Sequence, residues 1–189
     1  MKKVLIVLGI IAVVVILIAS FFVGQYNGLV RSDQDVKQNW AQVENQLQRR
    51  YDLIPNLVST VKGYATHEQT IFVQVAEARS KLSGAATVNE KVAASNGMES
   101  VLGRLLAIAE NYPQLRASEN FRALQDELAG TENRLAVARM RYNESVQAYN
   151  TKAKSFPTVM FVGMFGFDRE KPFFQVAGEQ VKETPKVEF

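Results

Sequence analysis

Cysteine is absent from this chain, which removes disulfide frameworks, thiol nucleophiles, lipidated cysteines and thiolate metal sites together. Histidine occurs once, at His67, too few for a histidine zinc site or a histidine proton relay. Only 5 prolines and 11 glycines interrupt 189 residues. No stretch alternates with strand period and no segment repeats, which leaves helices as the main element. Net charge is also low. The net charge is +3, and without Lys2 and Lys3 it falls to +1, 20 basic residues against 19 acidic. The basic pI of about 9.1 therefore gives no footprint for nucleic acid. The length suits one domain with an appendage.

What the chain has in abundance is a membrane signal. From Val4 to Val23 no residue is charged, and Gly9 and Ser20 alone interrupt Val, Ile, Leu, Ala and Phe; about 20 such residues span a bilayer core as a helix. A cleaved signal peptide would have a shorter apolar stretch and a small-x-small site, whereas Ile18-Ala19-Ser20 runs on into Phe21-Phe22. Residues 1–24 thus read as an uncleaved transmembrane signal anchor, in contact with the lipid bilayer through residues 4–23. Lys2 and Lys3 face Arg31 and Lys37 across the span, and the short amino end is the natural cytoplasmic side. The bulk of the chain is then expected outside the cytoplasm.

Residues 25–155 read as a helical bundle. One heptad row holds Tyr26, Asp33, Trp40, Leu47, Ile54, Val61, Glu68, Val75 and Leu82, and its partner holds Leu29, Val36, Val43, Arg50, Leu57, Tyr64, Ile71 and Ala78. This is a coiled-coil-like seam with three charges in it. The phase is kept across Pro55, which predicts a kinked continuous helix rather than a reversal there. A turn follows at Ser83 to Thr87, with Gly84 suited to a helix end and Thr87 to an amino cap. The next helix carries Val92, Val101, Leu102, Leu105 and Ile108 and stops at Asn111-Tyr112-Pro113. A last one, started by Ser118, carries Phe121, Leu124, Leu128, Leu135, Ala138, Tyr142, Val146 and Tyr149 until Phe156-Pro157. The fold class is all-α: a transmembrane helix, then an antiparallel up-and-down bundle of three to four long helices.

Residues 156–189 form an apolar and then disordered tail. FPTVMFVGMFGF, from Phe156 to Phe167, is uncharged but too short to span a bilayer. It is either a strap packed on the bundle or an exposed patch, with Phe161, Met164, Phe165 and Phe167 as its interaction residues. Three passes place it at the bundle end far from lipid, the expectation adopted here; a fourth pass would return it to the membrane. Glu179 to Phe189 read as a disordered end.

The segments QLQRRYDLIPNLVSTVKGYATHE (46–68), ENYPQL (110–115), ENRLAVARMRYNESVQAYN (132–150) and the FP and FGF of the tail together resemble the LemA family of bacterial membrane-anchored helical proteins. The resemblance covers nearly the whole chain after the anchor. It implies a helical bundle, usually of four helices, outside one transmembrane span, with roles around the cell envelope; it implies no activity, cofactor or catalytic residue.

Motifs for chemistry are lacking. His67-Glu68 opens like a zinc-peptidase helix, but Ile71 stands where the second histidine belongs. Neither a G-x-S-x-G elbow nor a glycine-rich phosphate loop occurs. Asn143-Glu144-Ser145 matches a glycosylation sequon in mid-helix. No cofactor, metal or small-molecule substrate is expected, and no catalysis. The informative polar residues are Asp33, Arg50 and Glu68 in the seam, expected to pair with Glu132, Arg139 or Arg141 of the last helix, or alternatively to line a groove for a partner helix. Tyr142-Asn143 and Tyr149-Asn150 repeat one heptad apart, so the two tyrosines share a face and are expected to hydrogen-bond across the bundle. Three functions follow in order: an envelope scaffold or adaptor binding a membrane protein or a second copy of itself; a self-assembling membrane-organising or remodelling coat; an unrecognised hydrolase or ligand carrier.

Overall fold

The computed structural model describes residues 2–175, and among them it is all-helical with no strand. The expected disordered end, Glu179 to Phe189, lies outside the described residues. Five helices follow in order: α1 (Lys2–Lys62), α2 (Gln69–Gly84), α3 (Val88–Ala109), α4 (Pro113–Ala117) and α5 (Glu119–Lys154). The chain divides into two compact units, one of Met1–Asn39 with Glu144–Lys171, the other of Trp40–Asn143 with Pro172–Phe189. We call them the anchor unit and the core unit.

In the core unit, α1 passes through Pro55 without reversing, as the heptad phase predicts. The reversal comes later. The seam was expected to continue in one helix to the turn at Ser83, but α1 ends at Lys62 and α2 begins at Gln69. Backbone bonds from Gly63 to Ser59, and from Tyr64 and Ala65 to Val61, close the helix end, with Ala65 fully buried as the plug of the turn. The row survives because Val61 and Val75 lie two heptads apart on either side of the turn, so a hairpin keeps the phase as well as a straight helix does. Lys62 lies over the Phe72 ring at 5.1 Å and Arg79 over Tyr51 at 4.8 Å, pairing α2 with α1 in antiparallel register.

The turn expected at Gly84 and Thr87 is present. Gly84 ends α2, and Thr87 and Glu90 form a reciprocal capping box at the start of α3. α4 is a short connection placed by Pro113 at its start, and α5 returns along α1: Arg49 meets Glu127 at 2.8 Å and Trp40 meets Tyr142 at 5.1 Å. The core unit is thus an up-and-down arrangement of four long helices, α1, α2, α3 and α5. Ile54, Leu57, Val61, Phe72, Val75, Leu102, Leu105, Leu115, Phe121 and Leu128 form one buried cluster, each side chain worth about 1.5–3 kcal/mol of burial.

The anchor unit is built differently. Leu29 and Val36 of α1 are buried, as are Val146, Tyr149 and Ala153 of α5 and Val162 beyond it. The residues of the apolar run, apart from the half-buried Phe22, are exposed instead, from Leu5 at 67% to Val23 at 57%, and this segment is long and apolar enough to cross a membrane. After α5 the chain makes a 3-10 turn at Thr158–Met160. Phe161 stacks edge-on to Phe22 at 4.7 Å, and Phe165 and Phe167 meet Tyr26 at 5.3 and 5.8 Å. The expectation that this run lies far from the lipid is therefore corrected: it packs on α1 beside the end of the apolar stretch. The reversal at residues 63–68 supplies the additional pass.

Candidate functional site

The polar network foreseen from the seams exists, but as separate clusters. In the core unit, Arg50 donates to Glu132, as expected. Arg139 lies 3.6 Å from Glu132 and 3.7 Å from Glu99, and its Nη2 donates to Ser95 Oγ at 3.3 Å. Its guanidinium also covers the Phe174 ring at 4.6 Å. Burial lowers the Arg139 pKa, and the two glutamates oppose that shift; a guanidinium stays charged at any neutral pH. Arg141, the third expected partner, is exposed.

Glu68 does not reach the last helix. It sits in the turn before α2, where the Tyr112 hydroxyl donates to it at 3.3 Å. Burial and then the Glu68 charge raise the Tyr112 pKa. The expectation that Glu68 joins Arg139 or Arg141 fails because its position in the heptad row falls in a turn rather than inside α1.

Asp33 belongs to the anchor unit and also differs from expectation. Its carboxylate takes Lys37 at 2.8 Å and Lys171 at 3.0 Å, not Arg139 or Arg141. Lys171 comes from the segment after α5, meets Asp168 at 2.7 Å as well, and lies 5.3 Å from the centre of the Tyr149 ring. Burial alone would raise the Asp33 pKa, but the hydrogen bonds from Lys37 and Lys171 outweigh it and hold the carboxyl below its ordinary 3.8. For Lys171 burial works downward, and the two aspartates outweigh it and hold the ammonium above 10.5.

The two Tyr-Asn pairs, expected to bond across the bundle, hold the backbone of the segment after α5. In the core unit the Tyr142 hydroxyl donates to Pro172 O at 2.8 Å, while Asn143 donates to Phe174 O at 3.0 Å and accepts from Phe174 N at 2.8 Å. In the anchor unit Tyr149 donates to Asp168 O at 2.6 Å, and Asn150 donates to Lys171 O at 2.9 Å and accepts from Lys171 N at 2.7 Å. Each asparagine amide thus reads both backbone groups of one residue, as a neighbouring strand would. Lys171, Phe174, Asn143 and Asn150 were missed as site residues. The repeat of Tyr-Asn at heptad spacing was their sequence signal, and the sequon asparagine is one of the two clamps.

Of the expected interaction patch, Phe161, Phe165 and Phe167 are partly buried against α1, whereas Met164 is 80% exposed. Among the described residues no group of three or more His, Cys, Asp and Glu is placed to hold a metal ion. An open groove on the core unit is lined by small residues such as Ala78, Ala93 and Gly97 together with the charged Glu77, Lys81 and Arg104.

Fold and clusters define a membrane protein whose helical body is fixed by internal ion pairs and by backbone clamps on the segment after its last helix. The LemA family profile matches residues 39–189, and the chain belongs to that family. It is 26% identical over 86% of its length, and 70% of the relative's, to the magnetosome protein MamQ of Magnetospirillum gryphiswaldense. It is 24% identical, with the same coverage, to the magnetosome protein MamQ 2 of Paramagnetospirillum magneticum. It is also 24% identical over 72% of its length, and 63% of the relative's, to protein LemA of Metamycoplasma hominis.

Proposed function

We propose that this protein is a scaffold or adaptor of the bacterial cell envelope, held in the cytoplasmic membrane by residues 4–23, its bulk outside the cytoplasm, binding another envelope protein or a second copy of itself without catalysis. The observation that carries the reading is where its charges go: Arg50 and Arg139 pair with Glu132 and Glu99, and separately Asp33 pairs with Lys171, inside the protein. Such groups serve register and shape. Lys2 and Lys3 before the span support the orientation.

The test is proximity crosslinking of the full-length chain in native membranes, read by mass spectrometry. Reproducible crosslinks to one envelope protein, or between copies, are expected; crosslinks scattered over abundant bystanders would overturn the reading. Protease added outside spheroplasts should degrade the bundle, and its survival until lysis would reverse the orientation. The magnetosome names of the relatives favour a second reading, a self-assembling membrane-organising coat, which requires a large homo-oligomer of the solubilised chain.

A further inference from the structure

We infer that residues 156–167 are a second membrane contact, an interfacial patch seated in the same bilayer leaflet that surrounds the end of the anchor's apolar run. Three observations within the anchor unit converge on lipid as the occupant. Phe22 belongs to the uncharged run of α1, and Phe161 packs on it at 4.7 Å; one turn further on, Phe165 packs on Tyr26 at 5.3 Å, and Thr158 Oγ1 bonds Gln25 at 3.0 Å. The segment is therefore pinned at the depth of the last turn of the membrane helix, where aromatic side chains favour the headgroup boundary.

The second observation is what the segment leaves uncovered. Phe156, Met160 and Met164 are 81%, 63% and 80% exposed, while Phe161 and Phe165 are half-buried against α1. No charge occurs between Phe156 and Phe167. An uncharged face of this kind beside a membrane helix is the arrangement of an interfacial anchor.

The third is charge placement. Polar groups resume immediately after the patch, at Asp168, Arg169 and Glu170. On the α1 side Lys152 closes over Gly28, where a Cβ would meet its ammonium, and Arg31 is exposed. These groups begin within about two helical turns of Phe22, roughly 9 Å at 1.5 Å per residue, which suits the headgroup layer. The inference needs only the anchor and holds whichever partner the scaffold binds.

Because the chain lacks cysteine, single labels are clean. A spin label on M164C, and another on M160C, in the full-length protein reconstituted into phosphatidylcholine vesicles should show an oxygen-to-nickel-chelate accessibility ratio several-fold above that of a label on E144C, an exposed α5 position. Circular dichroism serves to confirm unchanged helicity. Nickel accessibility equal to that of E144C would mean a patch in water, and protection from both reagents would mean cover by a second copy; either result overturns the inference. So would low ratios at both methionine positions once a partner identified by crosslinking is added back.

Discussion

The core unit and the anchor unit use the same two helices against different surroundings. Between Val43 and Val61 the buried residues of α1 are Val43, Leu47, Ile54, Leu57 and Val61, a seam with polar residues around it. Between Leu5 and Val23 the large apolar residues other than Phe22 are exposed instead. The first pattern is stabilised by contact with other helices in water, the second by lipid. Their charges differ accordingly. The core unit neutralises arginines with glutamates carried on helices, while the anchor unit neutralises Asp33 with Lys171 from a segment without regular structure.

The comparison breaks most visibly in the apolar side chains. Leu57→Ala empties a site in the middle of the core cluster and should cost about 2–5 kcal/mol. Met164→Ala removes a side chain that touches little protein and should leave denaturant stability in detergent micelles unchanged within about 0.5 kcal/mol. Equal losses would mean that the exposed patch is part of the folded core.

Next in size is the ion cluster. Glu132→Ala leaves Arg50 and Arg139 facing one another without their shared acceptor, and about 2–3 kcal/mol should be lost. Measured by the same unfolding curves, a loss below about 0.5 kcal/mol would show that solvent already screens the cluster.

Sequence made the periodic half of this legible and little of the rest. Arg50 sits in an amphipathic helix, so its heptad row placed it on the seam, and Glu132 was one of the partners that the last helix offered it. The rows could not register the reversal at residues 63–68, because a hydrophobic period reports a face and not the direction of the chain. Gly63 and the Thr66-x-x-Gln69 spacing were the local signals. Lys171 and Phe174 belong to a segment with no period at all, whose register is set by Asn143 and Asn150 reading backbone. Backbone recognition leaves no trace in side-chain pattern, and so the partner of Asp33 was misassigned.

The clamps sharpen the comparison because the same chemistry serves both units. Asn143→Ala and Asn150→Ala each delete two hydrogen bonds, and about 1–2 kcal/mol should be lost in each case. Hydrogen exchange should locate the damage. The Phe174 amide should lose protection in the first variant and the Lys171 amide in the second, each without the other. Asp in place of Asn143 keeps the acceptor but loses the donor, so it should retain protection at Phe174 N while weakening the bond to Phe174 O. Simultaneous loss at both amides would mean that the segment opens as one piece.

The smallest expected effect is the pH response of Asp33. Its folded pKa lies below 3.8, so the stability it contributes is complete above that value and disappears as pH falls through the folded pKa. Lys171 has the opposite sign: with a folded pKa above 10.5 its contribution is complete below that value and is lost as pH rises through the folded one. The anchor unit should thus keep its ion pair across the neutral range and lose it at both extremes. Asp33→Asn preserves shape but turns one of the two oxygens that accept from Lys37 and Lys171 into an NH2 donor facing an ammonium, and it should cost about 1 kcal/mol at neutral pH. It should also flatten the acid limb seen by exchange at the Lys171 amide. The core unit supplies the control, since its clamp on Phe174 involves no lysine. An alkaline loss of protection confined to the Lys171 amide, with the Phe174 amide unmoved, is the expected result; the same loss at Phe174 would put the alkaline limb somewhere other than this pair.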